Sequence, residues 1–231
     1  MTDFRNALIV GAGSGLSAAL AHHFSDSGIA VSLAARDPEK LAELCAQTGA
    51  RAYGCDATSD DSVAALFAAL DDDNRSPDLM VFNVGGAVRG PITDLAPVDV
   101  KATVLGNGYA AFLVAQQAAK RMLAAGKGAM LFTGASASIK GYARSSPFAI
   151  GKFGLRGLCQ SLARELAPQG IHVAHFVIDG MIRSPDRGAP YDDPARTLDP
   201  DAIARTYLTI ARQDPSAWTW EVELRPASEK F

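Results

Sequence analysis

The chain has 231 residues, 48% hydrophobic and 20% charged, which is the composition of an ordinary globular protein: long enough for one large α/β domain over residues 1–231 and short for two. A net charge of −3 without any basic run excludes an electrostatic case for nucleic acid or an anionic membrane surface. Cys45, Cys55 and Cys159 are scattered, odd in number and without metal spacing, which fits free thiols in a reducing compartment. No signal-like segment precedes the first apolar run and no apolar stretch reaches about 18 residues, so a soluble cytoplasmic protein is expected, with no metal, nucleic-acid or membrane partner.

Residues 7–10 (ALIV) read as a short buried strand, Gly11, Gly13 and Gly15 as a turn that needs no β-carbons, and Leu16 onward as a helix stopped by Gly28. A strand, a glycine turn and a helix N-terminus form an anion site, because the first helical N–H groups have no internal partner and the helix dipole favours a phosphate there. A tight turn without a ligand is the bland alternative, and the strand-before, helix-after context favours a dinucleotide held by its pyrophosphate.

Residues 29–35 (IAVSLAA) form a continuous apolar strand that completes a βαβ unit. At its end an acidic residue would bind a ribose 2′-hydroxyl, whereas this chain places Ala35 and Arg36 there. Arg36 suits a 2′-phosphate, which favours NADP over NAD; a solvated arginine near Asp37 and Glu39 is the competing reading. A helix opened by Pro38 leads to a third strand at 51–55, followed by Asp56, which either hydrogen bonds an adenine or caps the helix at 60–70. A fourth strand, 79–82 (LMVF), runs into Asn83, Val84, Gly85 and Gly86, where glycines let backbone approach a ligand and Asn83 can pin the turn.

From 97 to 125 the pattern is one long helix interrupted by Gly106 and Gly108, and polar Asn107 between them needs a backbone partner or a function. A fifth strand (128–133), a second long helix (145–167) and a sixth strand (171–178) ending at Asp179 and Gly180 follow. Residues 183–200, rich in Pro, Asp, Arg and Gly, read as a mobile substrate flap, before a helix at 200–213 and a last strand at 218–224. The alternation of strands and helices predicts a doubly wound, mostly parallel sheet with helices on both faces.

The succession of GAGSGL at 11–16, Asp56, NVGG at 83–86, Asn107, Lys152 and DGMI at 179–182 resembles the short-chain dehydrogenase/reductase family over essentially the whole chain. The resemblance implies a seven-stranded Rossmann sheet and a homodimer or homotetramer joined through the two long helices. It also implies cofactor contacts at Gly11, Ser14, Leu16, Arg36, Asp56, Asn83 and Lys152, a set completed by Gly13, Gly15, Ala57, Val84 and Gly85 and, after the sixth strand, by Asp179, Gly180 and Ile182.

Departures from the family pattern bear on chemistry. The family keeps a tyrosine four residues before its lysine, and this chain has Phe148 before Lys152: both still share one helix face, and the proton donor is gone. The family's serine position falls on Ala135, with Ser136 and Ser138 nearby, and the third glycine of the first loop is Ser17. This combination resembles an atypical branch of the family that has phenylalanine in the tyrosine position. The expected reacting set is Lys152, Asn107 and Ser136, with Phe148 at the tyrosine position and Tyr142, Ser136, Ser138 or a water as the proton source.

The function expected is NADP-dependent reduction of a small carbonyl compound or oxidation of an alcohol. The alternative is a nucleotide-binding pseudoenzyme acting as a sensor or stabilising subunit. A hydrolase or lyase lacks support, because GASAS at 134–138 is not a nucleophile elbow and His22, His23, His172 and His175 read as packed or solvated.

Overall fold

The computed structural model describes residues 3–184 and 187–228, and its strands follow the apolar runs of the sequence. They are β1 (Asn6–Val10), β2 (Ala30–Ala35), β3 (Arg51–Gly54), β4 (Leu79–Phe82), β5 (Gly128–Thr133), β6 (Ile171–Ile178), β7 (Met181–Ile182), β8 (Thr197–Leu198) and β9 (Glu221–Leu224). Seven of them build one parallel sheet, the number that the family resemblance implies, in the order β3-β2-β1-β4-β5-β6-β9, while β7 and β8 pair separately. The helices are α1 (Leu16–Asp26), α2 (Ala42–Thr48), α3 (Asp60–Asp72), α4 (Pro97–Val104), α5 (Ala110–Ala125), α6 (Ser146–Leu166) and α7 (Pro200–Ala211).

Strand residues alternate between two cores. In β4, Leu79 and Val81 join one cluster with Leu20 and Phe24 of α1 and Tyr207 of α7. Met80 and Phe82 join the other, with Phe67 of α3, Val114 of α5 and Leu155 of α6. Both faces of the central strands are therefore covered, which is why they read as unbroken hydrophobic runs.

Three segments differ from the sequence reading. The long helix expected over 97–125 is α4 and α5 joined by a π turn, Leu105–Tyr109. There the Asn107 amide donates to Thr103 O at 2.8 Å and to Gly86 O at 3.0 Å, so the polar residue stitches the turn to the loop after β4. The last strand begins at Glu221 rather than 218. Trp218 lies flat against His172 (centroids 4.8 Å apart, planes 2° apart) and donates to Gln213 O, and this pairing holds it out of the ladder.

The segment read as a flap is closed at its base by β7 and β8 and by the Arg183–Asp199 ion pair at 2.6 Å. Residues 185 and 186 of it lie outside the described residues. No described helix is long and apolar enough to cross a membrane, and Cys45, Cys55 and Cys159 are free.

Candidate active site

β1 has β2 on one side and β4 on the other, so the chain reverses its winding direction between β1 and β4. Open α/β sheets hold ligands at the carboxyl ends of strands at such a reversal. A cleft of about 960 Å³ lies there. It is lined by Gly11, Gly13 and Ser14 after β1, Arg36 after β2, Asp56 and Ala57 after β3, Asn83, Val84 and Gly85 after β4, and Asn107 of the π turn. Gly15 and Leu16 stand just behind this lining at the start of α1, with the Leu16 side chain in the core.

The glycines of the cleft divide into two kinds. Gly11 has φ +87°, and a β-carbon on it would lie 2.7 Å from the backbone of Asn83 and Val84, so the protein itself forbids a side chain. A β-carbon on Gly13, Gly15, Gly85 or Gly86 would meet no protein atom within 4 Å. Packing does not require glycine at those four places, and three of them, Gly13, Gly85 and Gly86, line the cleft. Gly15 is the N-cap of α1 with no side-chain cap, which leaves the first helical N–H groups for an anion.

Ser17, at the third glycine's position, is buried and functions as a clamp. Its hydroxyl donates to Gly11 O at 3.0 Å and accepts from the Asn83 amide at 2.8 Å. Asn83 thus pins its turn to α1 rather than to its own backbone.

At the opposite end of the cleft Arg36 is exposed, and Lys40, which the sequence reading missed, lines the same wall while paired to Asp37 at 3.1 Å. Asp56 accepts from the hydroxyl and amide of Thr58 at 2.7 and 2.9 Å. Those two bonds hold its carboxyl below the ordinary value, with Arg36 adding attraction. The cap of α3 is Ser59, which accepts from Ser62 N, so Asp56 does not fill that role.

The expected reacting residues come from α6, the π turn Leu105–Tyr109 and the turn Ser136–Ser138. Lys152 is buried on α6, and its Nζ donates to Thr133 O, at the end of β5, at 2.9 Å. Burial pushes its pKa down to about 8. Phe148, one turn earlier and half-buried, has its ring centroid 5.8 Å from that ammonium. Asn107 is fully buried and its Oδ1 has no protein partner. Close approach of α6 to the π turn depends on Gly151, where a β-carbon would lie 2.7 Å from Asn107 Cβ.

Other hydroxyls and rings nearby are committed. Ser138 is fully buried and accepts from Ala135 N at 3.1 Å, a bond that does not engage its own O–H proton, and Ser136 is half-buried. Tyr142 is exposed, with the Lys140 ammonium 5.5 Å from its ring. Tyr207 is buried with its hydroxyl 2.9 Å from Thr133 Oγ1, and burial pushes its pKa up. His175 is fully buried with Nδ1 3.0 Å from Glu221, which also receives Arg156; burial pushes the imidazole down to about 4. His172 is buried, and His22 and His23 are half-buried on α1, with His23 3.3 Å from Asp201.

Asp179, Gly180 and Ile182 lie outside the cleft lining, as do Lys152, Ser136 and Phe148. Asp179 is buried between Arg225 at 3.3 Å and Lys140 at 3.9 Å. Gly180 packs where a β-carbon would meet Pro226 Cδ at 2.9 Å, and Ile182 pairs with Leu198.

Residues 5–189 match the model of the short chain dehydrogenase family. The chain belongs to this family. Among related proteins, this short-chain dehydrogenase is 29% identical over 187 residues to the sorbitol-6-phosphate 2-dehydrogenase of Escherichia coli K12, a match covering 78% of this chain and 72% of that one. A short-chain dehydrogenase from Rhodopseudomonas palustris has a solved structure that is 37% identical, with a TM-score of 0.82 over 96% of this chain and 99% of that one. A metagenomic short-chain oxidoreductase solved in complex with NADP is 26% identical, with a TM-score of 0.84 over 97% and 98% of the two chains.

Proposed function

We propose that this short-chain dehydrogenase binds NADP in the cleft between β1 and β4 and catalyses carbonyl reduction or the reverse alcohol oxidation, with Lys152 and water supplying the proton. The observation that carries the reading is the second set of glycines. Gly13, Gly85 and Gly86 line the cleft and leave open space there that a dinucleotide backbone would fill, beside the uncapped start of α1 at Gly15. Gly11, Ser14 and Leu16 offer the uncapped helix start to the pyrophosphate, Asp56 and Ala57 face the adenine, and Asn83, Val84 and Gly85 line the path onward. Asp179, Gly180 and Ile182, which lie outside the cleft lining, are proposed as cofactor contacts on the family resemblance alone. Arg36 is placed for a ribose 2′-phosphate, which supports NADP over NAD.

When bound, the reduced cofactor supplies a hydride. Lys152 holds a proton at Nζ, and a pKa of about 8 leaves it mostly charged at neutral pH and able to release that proton to a water. Asn107 positions the π turn beside the cleft and Ser136 offers a half-buried hydroxyl. The same site supports a second reading, nucleotide binding without turnover, because Phe148 and Ala135 end in carbon where the family pattern has hydroxyls.

Isothermal titration with NADPH and NADH tests the reading. Tighter binding of NADPH is expected, and the absence of heat with either nucleotide at millimolar concentration overturns it. We also propose a homodimer or homotetramer through α5 and α6, where Phe112, Ile150 and Phe153 are exposed and Tyr109, just ahead of α5, stacks on Phe112. Light scattering that returns a monomer mass would overturn that.

A further inference from the structure

Beneath α6 lies a chain of polar groups that the proposed chemistry leaves unused. Val173 of β6 packs in one cluster with Leu155 and Cys159 of α6, so the alternation of the strand turns His175, two residues on, to the same face. The ring is fully buried, and its Nδ1 lies 3.0 Å from Glu221 of β9. Arg156, one turn past Lys152, donates to both oxygens of that carboxylate at 2.7 and 2.8 Å. One side chain on the last strand thus joins β6 to α6.

A carboxylate only accepts, so Nδ1 carries the imidazole proton and Nε2 is left with a lone pair. Nε2 is buried and has no hydrogen-bond partner among the described residues. It lies against Gly134, where a β-carbon would be 2.1 Å from it, and Gly134 follows the carbonyl to which the Lys152 ammonium is bonded. Burial first, and then the charges of Lys152 and Arg156, keep the ring neutral against the pull of Glu221.

Few other charges reach Lys152. The Cys159 thiol, two turns on, is kept neutral by burial, and the Tyr207 hydroxyl is engaged with Thr133 Oγ1. Asp179 is paired with Lys140 and Arg225, while Asp99 and Lys101 of α4 are exposed. Glu221 is therefore the carboxylate set against the two cations of α6. Burial opposes its charge, yet the bonds from Arg156 and His175 hold its carboxyl below the ordinary value.

We propose that Glu221 is a positioning residue for Lys152: it fixes the His175 tautomer beside the strand end that holds the ammonium, and it supplies the negative charge that keeps the lysine protonated at neutral pH. For its effect on turnover the proposal rests on the proton role given to Lys152 above, whereas its direct readout needs neither nucleotide nor substrate.

Lysine side chains labelled with carbon-13 are titrated by NMR in the nucleotide-free protein, the Lys152 signal being the one that Lys152→Met removes. Glu221→Gln should lower the Lys152 pKa by about one unit, because a negative charge leaves a partly buried cluster. Arg156→Met, which removes a positive charge, should raise it. Loosened packing would admit water and raise the value in either variant, so the downward shift is the outcome that a merely structural role cannot give. Nitrogen-15 spectra of the wild-type imidazoles, which need no variant to fold, should show His175 protonated at Nδ1 and bare at Nε2. In assays of NADPH-dependent reduction, the alkaline limb of kcat/KM should move down in Glu221→Gln with the lysine.

A Lys152 pKa that stays or rises in Glu221→Gln, or a wild-type ring protonated at Nε2, would overturn the proposal. A lysine that shifts as stated under an unmoved pH profile supports the positioning and removes the proton role of Lys152. If NADPH does not bind, the dinucleotide reading falls and the titration still decides this one.

Discussion

Asn83 and Ser17 are 66 residues apart in sequence and joined by a 2.8 Å hydrogen bond from the Asn83 amide to the Ser17 hydroxyl, which in turn donates to Gly11 O. The bond ties the end of β4 to the first turn of α1 across the floor of the cleft. Removing the hydroxyl by Ser17→Ala leaves a half-buried amide and a carbonyl each short of one partner. The expected loss is about 1–3 kcal/mol of unfolding free energy, read by urea denaturation, with a larger fractional loss of NADPH affinity than a distant surface substitution causes. A variant as stable as wild type would show that the clamp contributes nothing.

Two neighbouring glycines separate packing from ligand binding. Gly11→Ala puts a β-carbon 2.7 Å from the backbone of Asn83 and Val84 at φ +87°, so a loss of about 2 kcal/mol or more is expected whether or not nucleotide is present. Gly13→Ala meets nothing within 4 Å, and its stability should change by less than about 1 kcal/mol. NADPH affinity should nevertheless fall at least about tenfold, because the methyl group enters space proposed for the pyrophosphate. Thermal melts with and without NADPH distinguish the two effects; a Gly13→Ala protein with unchanged affinity would place the ligand elsewhere.

These residues also show what the sequence could reveal. Apolar strands and glycine turns are local signals, so β1, β2, β4 and the winding of the sheet were legible from residues 7–10, 29–35 and 79–82. Ser17 was not: in sequence it is only a missing glycine, and its role depends on Asn83, brought beside it by the pairing of β1 with β4. The π turn at Leu105–Tyr109 was visible only as two poor helix formers around a polar residue, because the bonds that settle it run from Asn107 to Thr103 and to Gly86 in another loop. Lys40 escaped notice for the opposite reason, since an exposed lysine on a helical turn is common and only the cleft gives it a place.

Arg36 and Lys40 set the expected choice between the two nicotinamide dinucleotides. A charge-assisted bond from the guanidinium to a 2′-phosphate is worth about 1.5–3 kcal/mol, so Arg36→Ala should weaken NADPH binding by about 10- to 100-fold. NADH, which lacks that phosphate, should change by less than about threefold. Lys40 is 80% exposed and already paired to Asp37, so Lys40→Ala should cost less than Arg36→Ala. The ratio of the two dissociation constants from calorimetry decides the matter, and equal losses for NADPH and NADH would remove Arg36 from the 2′-phosphate.

The Lys152 ammonium makes stability depend on pH in a definite direction. Burial lowers its pKa from 10.5 in the unfolded chain to about 8 in the folded one, so between those values the unfolded chain holds more protons. Wild-type stability therefore gains from this group as pH rises from about 8 toward 10.5, and the burial penalty is nearly full at pH 7. Lys152→Met loses the bond to Thr133 O at every pH, yet escapes the titration. The stability of Lys152→Met relative to wild type should consequently be about 2–3 kcal/mol more favourable at pH 7 than at pH 10. Urea unfolding of both proteins at the two pH values measures this, and taking the difference cancels the titration of the other groups. A difference that does not change with pH would mean that Lys152 keeps an ordinary pKa, and with it the proton inventory proposed for the site would be lost.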